Sequence, residues 1–446
     1  MLQKIYDNSP IFFQNLMVSF KGKQFIKERY NNEYRKEINY LRGLEKEFDI
    51  QELRLSEFIN YVRENSEYYK KVLRDTPKSF KLEDLKKLPV MDKEGIRQNI
   101  DTLVTRKDSL IEMGTGGSTG KSLTYYTHPY DMSRKIAYLD FFKEKHGVKK
   151  GMKRVSIGGK VLIPNKQKSK VFWRYNKPLN QLLLSAYHAD GENLFYYIEK
   201  LNEFKPETID GFTTTIHRIS KFILDEKIAL EFTPIAIFPT AEALTPSMKQ
   251  DIESAFRCPV RNQYASSEGA PFITENTAGE LEINPATGVF ELEHVQGKIY
   301  ELIVTGFYTT TTPLIRYRIG DSVELQEELP SGYKQKDIKI KRIIGRNNDF
   351  LRSNIRGIVT NVNLSTVVRE AGNNIIESQF IQNNIDELII NLVVVQDTNK
   401  ILLEKKLCQS LSTRFGDSTS YIFNYVESIE KTKGGKKRFT INNIDN

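Results

Sequence analysis

Met113-Gly114-Thr115-Gly116-Gly117-Ser118-Thr119-Gly120-Lys121-Ser122 runs directly into Leu123-Thr124-Tyr125-Tyr126-Thr127, and that junction sets the fold class. Glycines let backbone amides crowd around an anion, hydroxyls add donors, and Lys121 adds positive charge, so the loop suits phosphate. A flexible surface turn is the competing reading of the same composition. A Walker A loop needs glycine five positions before Gly120, where Thr115 stands, and it opens a helix. The β-branched and aromatic run after Lys121 reads as a strand instead. The segment is a phosphate-loop candidate between strands, which argues against a P-loop nucleotide switch.

On the C-terminal side, short apolar runs alternate with helical segments. Arg154 to Gly159 and Ile235 to Pro239 each end in small or turn residues, as strands of an α/β body with parallel pairing do. On the N-terminal side, the chain to about Leu88 reads as helices. Leu55, Phe58, Ile59 and Val62 recur at three- and four-residue steps and share one helix face. After Thr274 the pattern turns strand-rich, over Gly279 to Ile283, Val289 to Glu293, Tyr300 to Thr305 and Leu314 to Leu325, predicting an antiparallel or barrel-like lobe. Beyond Gly345-Arg346 follow a strand, a helix over Leu364 to Ala371, more strands, a helix near Leu402 to Phe415 and a strand over Tyr421 to Val426. The expected division is a large domain over 1–344 and a small α+β domain over 345–446.

Composition bounds the rest. The 446 residues amount to roughly three units of about 150 residues, ample for a deep cleft. No apolar run approaches the roughly 18 residues of a membrane span, and the first residues lack the apolar stretch of a secretory signal. A soluble, cytoplasmic protein with no membrane insertion is expected. The 66 basic residues exceed the 57 acidic ones by 9, but the charges are mostly interleaved, as over Arg42 to Glu47, which marks a solvated face. Nucleic acid is therefore not an expected partner. A polyanion- or RNA-binding protein is the alternative from another class, and it predicts affinity that falls steeply with salt and ignores ATP. Cys258 and Cys408 give no disulfide framework, and the five histidines show no metal-ligand spacing.

Three more segments carry chemistry. In Asn262-Gln263-Tyr264-Ala265-Ser266-Ser267-Glu268-Gly269, one carboxylate precedes a glycine, and a hard-oxygen ligand of that kind suits Mg²⁺ shared with nucleotide phosphates. Alone, a solvated glutamate in a turn is the better reading. In Leu314-Ile315-Arg316-Tyr317-Arg318-Ile319-Gly320-Asp321, an aspartate at a strand end can accept hydrogen bonds from sugar hydroxyls. The plainer reading is an arginine-rich strand pairing its charges across a sheet. Near the end, Lys431-Thr432-Lys433-Gly434-Gly435-Lys436-Lys437-Arg438 offers either a lysine in a glycine-flanked loop that offsets phosphate charge, or a solvated basic stretch.

Taken together and in this order, the four segments resemble the adenylate-forming enzymes, in particular their phenylacetate–coenzyme A ligase-like and capsule-biosynthesis CapK-like branch. Leu88-Pro89-Val90-Met91-Asp92-Lys93-Glu94 and Pro239-Thr240-Ala241-Glu242-Ala243-Leu244-Thr245 are similar to that branch as well. The resemblance implies a large N-terminal ATP- and acyl-binding domain and a mobile C-terminal domain. It implies that Thr115, Gly116, Gly117, Ser118, Thr119, Gly120 and Lys121 contact ATP phosphates and that Glu268 helps bind Mg²⁺. Tyr264 and Ser267 would lie at the nucleotide, Asp321 would hold the ribose, and Arg346 would reach the nucleotide from the domain junction, with Asp349 as hinge. Lys436 would be the catalytic lysine, with Lys437 as the fallback.

The implied reaction joins a carboxylic acid to ATP as an acyl-adenylate with release of pyrophosphate, then passes the acyl group to an acceptor. Coenzyme A is the first candidate acceptor, and a hydroxyl or amine in polysaccharide or cell-surface biosynthesis is the alternative. Adenylation needs no protein nucleophile, which agrees with the lack of a convincing Ser/His/Asp or Cys/His set. Phe212 and His217, in Asp210-Gly211-Phe212-Thr213-Thr214-Thr215-Ile216-His217, are the candidates for the acid pocket, although core packing explains Phe212 equally well.

Overall fold

The computed structural model describes residues 2–44, 49–115, 123–164, 166–242, 244–266, 268–330, 332–344, 350–355, 357–372, 374–430 and 438–444. Helices lead the chain: α1 (Leu2–Asn8), α2 (Ile11–Arg29), α3 (Asn32–Arg42), α4 (Asp49–Asn65) and α5 (Glu67–Val72). The stripe read on α4 is the core-facing one, since Leu55, Ile59 and Val62 are wholly buried and Phe58 nearly so. Next come α6 (Lys93–Leu103), started by the Asp92 side chain accepting the Gly95 amide at 2.8 Å, and the antiparallel pair β1 (Ile111–Thr115) and β2 (Leu123–Thr127).

After α7 (Pro129–Lys145), the chain builds a sheet from β3 (Arg154–Gly158), β4 (Trp173–Asn176) and β5 (Gln181–Ser185). It continues through α8 (Asn193–Phe204), β6 (Thr208–Phe212), α9 (Thr213–Asp225), β7 (Ala236–Thr240) and α10 (Pro246–Phe256). The order is β4-β5-β3-β6-β7, parallel except for the edge strand β4. Leu182, Leu184, Ile209, Ile237 and Phe238 are buried, as expected of strands covered on both faces.

The strand-rich region is a seven-stranded antiparallel sheet in the order β11-β12-β13-β14-β10-β9-β8. Its members are β8 (Gln263–Tyr264), β9 (Ile273–Glu275), β10 (Leu281–Ile283), β11 (Gly288–Gln296), β12 (Ile299–Gly306), β13 (Tyr317–Leu325) and β14 (Ile340–Ile344). The strand expected from Leu314 begins instead at Tyr317. Arg316 has φ +49°, a left-handed kink no strand tolerates, and its amide turns to the Thr305 hydroxyl at 3.0 Å.

The C-terminal part contains β15 (Phe350–Ser353), β16 (Gly357–Thr360), α11 (Asn361–Ala371), β17 (Ile375–Asn384), β18 (Glu387–Val394), α12 (Lys400–Phe415), β19 (Ser420–Tyr425) and β20 (Thr440–Asn442). The final short strand escaped the sequence reading; it pairs in parallel with β17 and closes the order β19-β18-β17-β20. Leu364, Val367, Phe380, Ile390 and Leu407 fill a core of its own, into which Tyr187 also reaches.

Candidate functional site

Two predicted nucleotide residues meet across the seven-stranded sheet. Tyr264 lies on the edge strand β8, four steps from β13, which carries Asp321. In a flat sheet those strands would stand roughly 19 Å apart. The Tyr264 hydroxyl nevertheless donates to Asp321 Oδ2 at 2.8 Å. The sheet therefore coils until β8 and β13 face each other, which is the physical content of the barrel-like expectation.

The arginines beside Asp321 behave as the plainer reading had it. Arg316 pairs with Glu291 at 2.9 Å and donates to the Leu88 carbonyl at 2.5 Å, while Arg318 pairs with Glu293 and Glu301. The Leu88-to-Met91 segment lies alongside, with Met91 taking both backbone bonds of the Arg316–Arg318 stretch at 3.0 and 2.8 Å. These contacts hold the strand, and Asp321 turns to Tyr264.

Glu268, in the connection between β8 and β9, is buried at 7% exposure. Next to this segment stands a run of four threonines that sequence reasoning passed over. Asp131 of α7 accepts the backbone amides and hydroxyls of both Thr310 and Thr311 at 2.7–3.1 Å. Thr312 exchanges two hydrogen bonds with the backbone of Tyr126 on β2, at 2.8 and 3.1 Å. Thr309 packs so closely on Gly269 that a β-carbon there would lie 2.5 Å from its methyl and 2.6 Å from Lys135 Nζ. The threonine run thus joins the β1–β2 hairpin, α7 and the Glu268 segment.

Lys135 was also missed. Burial lowers its pKa, while the charges of Asp131 and Glu268 act in the opposite sense. In the sequence it reads as an ordinary i,i+4 partner of Asp131 on a solvated helix. A single buried carboxylate completed by nucleotide phosphate oxygens is a donor set that a hard Mg²⁺ accepts, so Glu268 fits the ion.

Thr115 ends β1 and pairs in register with Leu123, so the glycine-rich loop joins two strands and opens no helix. Gly116, Gly117, Ser118, Thr119, Gly120, Lys121, Ser267, Arg346, Asp349 and Lys436, with its alternative Lys437, lie outside the described residues. The C-terminal part rests directly on the hairpin. A β-carbon on Gly114 would lie 2.3 Å from Arg369 Cδ of α11, so only glycine admits that approach.

A cavity of about 1910 Å³ lies between α2, the ends of β3 and β6, and α11–α12. Phe212 and Gly159 line it, whereas Tyr264, Glu268 and Asp321 do not. Tyr187 donates to the Gly159 carbonyl and accepts from Asn363, both at 2.9 Å, tying α11 to the end of β3. Phe212 is at the same time part of the buried core with Leu182, Ile209 and Ile216. The His217 ring meets Asp251 of α10 at 2.7 Å, and it is absent from the cavity lining. Glu242, in the segment after β7, accepts the Thr214 amide and hydroxyl at 2.8 and 2.7 Å and so holds the start of α9.

Comparison with known proteins bears on this geometry. Residues 351–443 match a family model described as the CapK C-terminal domain. The Protein CapK of Staphylococcus aureus is 63% identical over 448 residues, covering 100% of both chains. Among solved structures, 2-hydroxyisobutyryl-CoA ligase in the postadenylation state with R3-HIB-AMP superposes with a TM-score of 0.51 at 15% identity, over 89% of this chain and 90% of that one. The same ligase with 2-HIB-AMP and CoA, in the thioesterification state, gives 0.51 at 16% identity over 89% of each chain. At such identities the likeness is one of fold, the fold of adenylate-forming ligases.

Proposed function

The chain belongs to the CapK family and has the fold of adenylate-forming ligases, and on that premise we propose that it activates a carboxylic acid with ATP. The observation that carries the reading is the Tyr264–Asp321 contact across four strand steps, in the lobe that also buries Glu268. An ionised substrate carboxylate attacks the α-phosphorus, the new O–P bond forms as the bond to the β-phosphate oxygen breaks, and pyrophosphate leaves. No general base is needed, because a carboxylic acid is already ionised at neutral pH. Mg²⁺, when bound, screens the phosphate charge. Asp321 orients the ribose, the Thr115–Lys121 loop receives the phosphates, Glu268 holds the ion, and Lys436 offsets charge at the reacting phosphate. Arg346 and Asp349 serve the junction of a 1–344 domain with a mobile 345–446 domain, whose rotation admits the acceptor. Coenzyme A is the acceptor this reading tests first; a hydroxyl or amine of a cell-surface precursor is next.

ATP–pyrophosphate exchange with Mg²⁺ across a panel of carboxylic acids, without coenzyme A, tests the reading. Exchange stimulated by one acid supports it. Absence of exchange together with absence of ATP binding by calorimetry would overturn it. Asp321→Ala is expected to weaken ATP binding by about tenfold or more, as for a lost hydrogen bond to a charged group. Unchanged affinity in calorimetry removes Asp321 as the ribose ligand.

A further inference from the structure

Helix α2 is packed inside out. Of its 19 residues only Gln14 and Gly22 are buried. It docks through polar contacts: Gln14 accepts from Arg174, a guanidinium with no exposure, at 2.7 Å, and Gly22 abuts Asn176. At about 100° per residue, Phe12, Phe13, Leu16 and Phe20 fall on one outward arc. Their exposures are 67%, 54%, 51% and 75%. The exposed Lys23 and Lys27 continue the same arc toward the C-terminal end. Four exposed large apolar side chains beside lysines make a surface patch that an anionic bilayer would cover.

The inner side of the same helix holds a second, independent feature. Lys21 Nζ, Arg29 Cζ and Lys160 Nζ stand 5.1, 4.4 and 5.2 Å from the centroid of one ring, Phe25. None of the three forms an ion pair among the described residues, and Arg29 Nε is buried without a hydrogen-bond partner. Burial lowers the pKa of Lys160, and the neighbouring charges of Arg29 and Lys21 lower it further. Like charges gathered this way are relieved by an anion. All three line the cavity of about 1910 Å³, roughly twice the upper size of a small-ligand pocket, and Leu16 and Phe20 of the outward stripe line it too.

We propose that this chamber receives the phosphate headgroup of an anionic lipid on Lys21, Arg29 and Lys160, while Phe12, Phe13, Leu16 and Phe20 enter the bilayer surface. The protein then sits on the membrane without crossing it, in keeping with the absence, among the described residues, of any helix long and apolar enough to span. The inference stands apart from the adenylation chemistry, because acid-dependent exchange in solution needs no lipid.

The test is co-sedimentation of the full chain with vesicles of phosphatidylcholine alone and of phosphatidylcholine carrying phosphatidic acid. Binding is expected to the second and to be at least about tenfold weaker to the first. Phe12→Ser combined with Phe20→Ser should abolish sedimentation, and Lys160→Glu should cut it by roughly fivefold or more. Both variants should keep the wild-type far-ultraviolet circular dichroism, and Phe12→Ser/Phe20→Ser should also keep the wild-type exchange rate. Inorganic phosphate in excess of lipid distinguishes a free-phosphate site: full release of the protein from the vesicles overturns the lipid assignment. Equal binding to both vesicles, no binding to either, or insensitivity to Lys160→Glu also overturns it. So does a dimer in light scattering that Phe12→Ser/Phe20→Ser dissolves, since a second copy would then cover the stripe.

Discussion

Lys436→Ala is expected to lower acid-dependent ATP–pyrophosphate exchange by about 10²–10³-fold, the scale for losing one preorganised charge partner of a transition state. The same variant should still transfer the acyl group from supplied acyl-adenylate to acceptor at close to the wild-type rate. That split follows from chemistry. Negative charge gathers at the α-phosphate during adenylation, and transfer leaves AMP without needing the lysine there. Lys437→Ala serves as the control and should retain exchange. A reversed pattern would move the role to Lys437, and equal loss of both half-reactions would remove it from either.

The second large effect concerns stability. Glu37 on α3 is buried between Arg54 of α4 at 2.7 Å and Arg134 of α7 at 3.2 Å, and it accepts the Tyr308 hydroxyl at 2.6 Å. Arg54 also donates to the Ala286 carbonyl at 2.6 Å, and Arg134 to that of Phe307 at 3.1 Å. Three helices and the strand-rich lobe thus meet at one carboxylate. Glu37→Gln leaves two guanidinium groups in the interior without their counter-charge, at an expected cost of about 3–5 kcal/mol in urea unfolding. Wild-type stability within 1 kcal/mol, on the scale of about 1 kcal/mol for an exposed pair, would show the network to be dispensable.

The pH dependence of that network has a definite sign. Burial raises the Glu37 carboxyl, but Arg134, Arg54 and the Tyr308 hydroxyl outweigh it and leave the pKa below its ordinary 4.5. Such a group stabilises the fold fully above its unfolded value and loses that contribution as pH falls through the lower folded value. Acid unfolding of the wild type should therefore include a component that sets in below about pH 4.5 and is missing from Glu37→Gln. Thermal midpoints measured across that range check it.

How much of this was legible beforehand differs by residue. The strand after Lys121 is written in Leu123-Thr124-Tyr125-Tyr126-Thr127 itself, so the hairpin setting of the glycine-rich loop followed from local propensity. The α4 stripe was legible for the same reason, since helical periodicity is a short-range signal. Arg318 pairs across the sheet as a strand of that composition does, whereas Arg316 pairs from the kink before the strand, and Asp321 is recognisable only through its place in an ordered set of segments.

Other partners could not be read at all. Lys135 and Glu268 lie 133 positions apart, Asp131 meets threonines beyond position 309, and His217 is taken up by Asp251 on the next helix. Composition shows that such groups exist but carries no record of which of them meet. The sequence by itself determined the α/β class, the order of the candidate nucleotide segments and the hairpin around the glycine-rich loop, because each depends on contacts within a few residues. Only the tertiary structure decided that the sheet coils to bring Tyr264 onto Asp321, that Glu37 balances two arginines, and that α2 turns its phenylalanines outward. Those outcomes depend on charge pairing and burial between segments that the chain topology alone brings together.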